Sequence, residues 1–190
     1  MRLLGILLLA ATTASAQRLP SLSMPKHAWD FGLWTQGGTG LSGNTFETRL
    51  WNAGLRIGKI LTSTHGSGWA RGNLEYAVDL VPAYVVFQNN TVYCGGFNPL
   101  VLKWNFTAGN RFAPYLEIAG GTLFSTSEVP PGASTVNFRS GGSLGTHIFS
   151  REKRAWTLAF RYEHISNAGL ASRNSGINTA QFLLGYNWWK

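Results

Sequence analysis

The chain has 190 residues, of which 13% are charged and 13% aromatic, with 23 glycines and a net charge of +8. One cysteine, Cys94, excludes an internal disulfide framework and a Cys-based zinc site, and reads as a free surface thiol. The charged share is about half the usual one, and no long apolar block follows the first residues, which excludes a helical membrane protein.

The chain opens MRLLGILLLAATTASAQ: an arginine, an apolar run, then Ala14-Ser15-Ala16. This is the pattern of a secretory signal peptide cleaved after Ala16, so residues 1–16 read as leader and 17–190 as one exported domain. The basic balance favours anionic partners, and export selects lipid phosphates over nucleic acid.

Turn-rich segments then divide the chain into eight expected strands, at 27–36, 45–60, 73–87, 97–107, 112–124, 135–149, 155–166 and 177–189. Their side chains alternate. Leu74, Tyr76, Val78 and Leu80 oppose Glu75, Ala77 and Asp79; Leu100, Leu102, Trp104 and Phe106 oppose Val101, Lys103 and Asn105. Trp156, Leu158, Phe160 and Tyr162 oppose Thr157, Ala159, Arg161 and Glu163. Ala180, Phe182, Leu184, Tyr186 and Trp188 oppose Thr179, Gln181, Gly185 and Asn187.

The polar face carries Glu75, Asp79, Lys103, Glu117, Arg139, Arg161 and Glu163 in mid-strand. A soluble β-sandwich would turn these charges to water. An all-β, eight-stranded antiparallel transmembrane barrel would turn them inward to pair with one another. The near balance of signs and the Trp and Tyr residues near strand ends favour the barrel. Eight strands fill their own lumen with side chains, which argues against a porin.

With both termini on the periplasmic side, TAGNR and SREKR are periplasmic turns, while QNNTVYCGG, STSEVPPGAS and NAGLASRNSG are external. The 62–72 turn is long for a periplasmic one. The stretch HISN, residues 164–167, then lies at the external end of the seventh strand. His164 and Ser166 share a face with Tyr162 and Phe160, the lipid-facing stripe. Near the rim a serine beside a histidine can attack an ester, the imidazole taking and returning the proton. The alternative is that both residues simply mark the water boundary.

The run EHISNAG followed by RNSGIN, within residues 162–178, resembles the signature of the lipid A 3-O-deacylase (PagL-like) family. The resemblance implies an eight-stranded outer-membrane barrel of a Gram-negative bacterium that hydrolyses the ester at position 3 of lipid A. It would release a 3-hydroxy fatty acid towards the outer leaflet, with no cofactor. The family's serine and histidine match Ser166 and His164, its H-x-S-N asparagine matches Asn167, and Asn174 falls in its N-x-G segment. Asn167 and Asn174 would serve or support the oxyanion.

Where the family carries a glutamate, twelve residues after the serine, this chain has Asn178. By parity Asn178 faces outward, and in an antiparallel hairpin it can lie opposite His164, with Tyr162 then opposite Ala180. An amide oxygen can accept the imidazole Nδ1–H but cannot share its charge. Glu163 is adjacent but points inward; Glu128 lies on an external loop.

Arg173 and Arg49 could each meet lipid A phosphates, the alternative for each being a solvated surface arginine. Arg151, Lys153 and Arg154 read as turn charge, and His27, His65 and His147 show no metal-ligand spacing, so no metal is expected. The implied partners are lipopolysaccharide and surrounding outer-membrane lipids, and a homodimer is compatible with the resemblance. The competing functions are a barrel that binds lipopolysaccharide without efficient chemistry and a soluble exported β-sandwich. Gel migration separates the architectures. A barrel runs differently before and after boiling, and a sandwich gives one position.

Overall fold

A computed structural model of the chain describes residues 24–41, 45 and 47–190. The leader and its cleavage point lie outside the described residues. Eight antiparallel strands form one closed barrel, each pairing with its sequence neighbours and β1 with β8. They are β1 (Trp29–Gly40), β2 (Arg49–Ile60), β3 (Gly72–Phe87), β4 (Thr91–Phe106), β5 (Phe112–Ser125), β6 (Val136–Arg151), β7 (Arg154–Ser166) and β8 (Ile177–Trp189).

Two segments read as turns from the sequence are strand. Thr91–Gly96, within QNNTVYCGG, belongs to β4, which leaves only Gln88, Asn89 and Asn90 to join β3 to β4. Likewise β1 runs on through Gly37, Gly38 and Gly40, and β2 begins at Arg49 rather than 45. The glycines mislead because they serve close backbone approach rather than turning. A Cβ on Gly38 would collide with the Ala180 backbone, and one on Gly96 with the Thr122 carbonyl. In β4 the register also shifts between Phe97 and Leu100, which changes the inward parity from even to odd positions.

The barrel is polar inside and apolar outside. Asp30, Arg56, Glu75, Asp79, Lys103, Glu117, Arg139, Arg161 and Glu163 are all buried, whereas Leu116, Ile118, Leu144 and Phe182 are each more than half exposed. That exterior far exceeds the apolar patch a water-soluble monomer shows, and it removes the sandwich alternative.

Arg56 grips Asp79 through Nε at 2.7 Å and Nη2 at 2.9 Å, and reaches Glu117 at 2.6 Å. Arg161 meets the other Glu117 oxygen at 2.5 Å. Lys103 joins Glu75 at 2.9 Å and approaches Asp30 at 3.6 Å. Arg139 binds Glu163 at 2.6 Å, while Tyr84 and Gln181 donate to the other Glu163 oxygen.

The sequence reading had omitted Asp30 and Arg56 from this network. Apolar plugs close both ends. Ile165, Ile177, Leu50, Val86 and Val129 lie at the end bearing the 167–176 loop, and Met24, Ile60, Phe149 and Trp189 at the opposite end. Around the latter rim, Trp29 lies under Lys59, Trp156 packs edge-on to Tyr186, and Phe31 stacks on Trp188. Aromatic belts of this kind mark a membrane interface.

Breaking a buried ion pair by removing one partner leaves an uncompensated charge and costs about 3–5 kcal/mol. Arg56→Ala, which takes the cation from Asp79 and leaves Glu117 with Arg161 alone, is expected to lose that much in denaturant unfolding followed by tryptophan fluorescence. Lys59→Ala, on the outer rim, is expected to lose about 1 kcal/mol or less.

Candidate active site

The β7–β8 hairpin builds the site. Its register sets His164 opposite Asn178 and Tyr162 opposite Ala180. Between these outward residues, Ile165 and Glu163 turn inward, where Ile165 packs beside Ile177 and Glu163 is held by Arg139. The backbone carrying His164 is therefore pinned from inside on both sides of the ring.

His164 Nδ1 lies 2.7 Å from Asn178 Oδ1. The Tyr162 hydroxyl, diagonal to Asn178 across the small Ala180, donates to the same oxygen at 2.7 Å. An amide oxygen can only accept, so the His164 contact suits the tautomer with its proton on Nδ1 and a lone pair on Nε2.

Gly176 covers the opposite edge of the imidazole. A Cβ there would stand 2.6 Å from Cε1 and 3.1 Å from Nε2. Gly176 is thus the cavity wall that admits the ring. The sequence reading did not single out either Tyr162 as an Asn178 partner or Gly176. The hairpin register contained the signal for the first, because diagonal neighbours are within reach of an aromatic side chain.

Ser166 ends β7, half-buried, on the same face as His164. Among the described residues its hydroxyl makes no hydrogen bond to the imidazole. Nucleophile–base contacts are often loose before substrate arrives and tighten in the complex.

Beyond Ser166 the chain turns sharply. Asn167 is buried and organises that turn. Its Oδ1 accepts the Gly169 N–H at 2.9 Å, its Nδ2 donates to the Arg173 carbonyl at 2.7 Å, and its backbone N–H donates to Asn174 Oδ1 at 3.1 Å. Ala168 is held at φ 52°, a strained left-handed conformation for a residue with a side chain. Asn167, expected to offer its amide to an oxyanion, is buried in this turn and gives one of its two amide N–H groups to the Arg173 carbonyl. Asn174 spends its oxygen on the same loop, and its amide N–H groups have no acceptor among the described residues.

The two acids closest in sequence or loop to the site do not join it. Glu163 is paired inside the barrel, and Glu128 accepts the Gly132 N–H in its own loop. Arg173 lines a polar pocket of about 810 Å³ with Glu47, Gln88, Pro130, Ser175 and Gly176, so it adjoins the histidine through Gly176. Arg49 is exposed on the outer face, donating to Thr39 Oγ1 at 2.7 Å. The register carries that row from Arg49 through Thr39 and Ala180 to Tyr162, about 14 Å at the usual strand spacing. Below the hairpin's outer end an apolar groove of about 690 Å³ runs past Gly37, Trp51, Phe160, Phe182 and Leu184.

Gly176→Ala is expected to push the ring from its seat without unfolding the barrel, because Gly176 does not have the left-handed φ that requires glycine. The check is the imidazole ¹⁵N spectrum. The His164 resonances should move while unheated gel migration stays unchanged.

A family model described as lipid A 3-O-deacylase (PagL) matches residues 26–187. The crystal structure of the outer membrane enzyme PagL is similar with a TM-score of 0.63 at 18% identity, covering 81% of this chain and 97% of that one. Neisserial surface protein A is similar with a TM-score of 0.54 at 14% identity, covering 84% and 96% respectively. The N-terminal β-barrel domain of Pseudomonas aeruginosa OprF gives 0.53 at 13% identity, covering 87% and 100%. No curated protein sequence matches the chain. At these identities the structures establish a shared barrel fold.

Proposed function

The chain belongs to the lipid A 3-O-deacylase (PagL) family, and from that premise we propose that Ser166 and His164 hydrolyse the 3-O-acyl ester of lipid A on the outer face of the barrel. The family and the barrel place the chain among hydrolases of the Gram-negative outer membrane. The observation that supports the finer reading is the His164–Asn178 contact at 2.7 Å, made on the same strand face that bears Ser166.

In this reading Nε2 takes the Ser166 proton as Oγ forms a bond to the ester carbonyl carbon. The carbonyl oxygen becomes an oxyanion, and the Asn174 and Asn167 amides in the adjoining loop each keep an N–H that can serve it. Collapse breaks the bond to the sugar oxygen, which receives the proton from Nε2. Water, deprotonated by the same nitrogen, then cleaves the acyl-serine and releases a 3-hydroxy fatty acid. The groove past Gly37, Phe160 and Phe182 suits the acyl chain, and Arg173 and Arg49 suit the phosphates. The loop end of the barrel faces the outer leaflet in this reading.

Asn178 favours a second reading, a barrel that binds lipopolysaccharide with little turnover. An amide orients the imidazole but leaves its developing charge unshared. The two are separated by mass spectrometry of lipid A from cells expressing the native chain or Ser166→Ala. Hydrolysis predicts loss of one 3-hydroxyacyl chain with the native chain only. Identical lipid A in both would favour the binding protein.

A charged acceptor strengthens a hydrogen bond by about 1.4 kcal/mol over a neutral one, about tenfold in rate. Asn178→Asp, isosteric with the native side chain, is therefore expected to raise kcat about tenfold in detergent micelles.

A further inference from the structure

We propose that Tyr162 is a positioning residue that selects which end of the Asn178 amide faces His164, and so sets the tautomer of the histidine. A carboxylate presents only acceptors, so either of its oxygens fixes the proton on Nδ1. An amide has two ends of opposite hydrogen-bonding sense. Turned one way, Asn178 accepts the Nδ1–H and leaves Nε2 able to take a proton. Turned the other way, its NH₂ donates to a bare Nδ1, the ring proton moves to Nε2, and the nitrogen facing the nucleophile can no longer act as a base. Replacing the family's acid with an amide therefore introduces an ambiguity that the acid does not have.

The structure holds a group placed to resolve it. The Tyr162 hydroxyl is 2.7 Å from the same Asn178 oxygen that meets His164 Nδ1 at 2.7 Å. A phenol conjugates its oxygen lone pair into the ring, so it donates better than it accepts, and it rewards an oxygen at that point over an NH₂. Its reach is set by the register. Tyr162 lies opposite Ala180, whose short side chain leaves the diagonal to Asn178 open. Tyr162 is 44% exposed on the outer face and continues the apolar stripe of Phe160 and Leu158, so its ring is at home in lipid while its hydroxyl finds its acceptor within the site.

The kinetic consequence rests on the Ser166 hydrolase reading, and the spectroscopic one stands without it. The test compares Tyr162→Phe, Asn178→Asp and the double variant with the native chain, folded in detergent micelles with ¹⁵N-labelled imidazoles. Band migration before and after boiling verifies each barrel, and His164→Asn assigns the His164 signals.

The native chain should show His164 protonated at Nδ1, and Tyr162→Phe should move a substantial share to the Nε2–H form. With Asp at 178 the Nδ1–H form should persist whether or not the hydroxyl is present. On lipid A bearing its 3-O-acyl chain, Tyr162→Phe should lower kcat about fivefold, the worth of one neutral hydrogen bond, with KM unchanged. In the Asp background the same change should cost less than about twofold.

An unchanged tautomer in Tyr162→Phe, or equal losses in both backgrounds, overturns the inference, the latter because a merely structural tyrosine would be missed equally in each. Should Phe at 162 prevent folding, Tyr162→Leu removes the hydroxyl by a second route and is read in the same way. A tautomer shift as expected, together with hydrolysis indifferent to Ser166→Ala, would uphold the role of Tyr162 and reject the hydrolase reading.

Discussion

The ion pair between Arg139 and Glu163 decides which way the site faces. Glu163 is buried, gripped at 2.6 Å by Arg139 and capped by Tyr84 and Gln181. Because strand side chains alternate, holding Glu163 inward throws Tyr162 and His164 outward. A one-residue slip of β7 would bring the imidazole into the lumen and a carboxylate into hydrocarbon, and both are costly. The rest of the interior reinforces this parity. Arg56 ties β2 to β3 and β5, Arg161 ties β7 to β5, and Lys103 ties β4 to β3. An interior this full of paired charge leaves chemistry only the outer face and the rim, which is where an ester buried in a lipid leaflet would be met.

That location shapes what the residues can be. Side chains on the membrane face keep polar groups only where each is partnered or lies near headgroups. His164 satisfies this through Asn178, Asn178 through both the imidazole and the Tyr162 hydroxyl, and the loop through the bonds of Asn167. The site is consequently a surface feature with a rigid back. The apolar plug of Ile165 and Ile177 stands behind it, and the strained Ala168 turn is clamped at its end. An amide in place of the acid keeps this lattice of contacts while removing a charge from the lipid boundary.

Much of this was legible in the residues themselves. The alternation of Glu75, Asp79, Arg161 and Glu163 against Tyr76, Leu80, Phe160 and Tyr162 gave the strand faces, and parity allowed the pairing of Asn178 with His164 that the register holds. What escaped was governed by contact rather than pattern. Gly37, Gly38, Gly95 and Gly96 look like turn residues until the neighbouring backbones are seen pressed against two of them. Asp30 and Arg56 stand alone among apolar residues in sequence and find partners only when the barrel closes. Asn167, singled out for an oxyanion, also holds the loop together through bonds to Gly169 and Arg173 that no spacing in the sequence announces. Gly176 matters through the space it leaves for an imidazole, a property no single-residue reading reveals.

Whether Ser166 is a nucleophile activated by His164 on the barrel's outer surface is decided by reaction with a long-chain alkyl fluorophosphonate in detergent micelles, followed by peptide mass spectrometry. The expected result is a phosphonyl adduct on the peptide containing Ser166 in the native chain, and its loss in His164→Ala with the barrel still folded. An adduct that forms equally well without His164, or a Ser166 left unmodified, would contradict it.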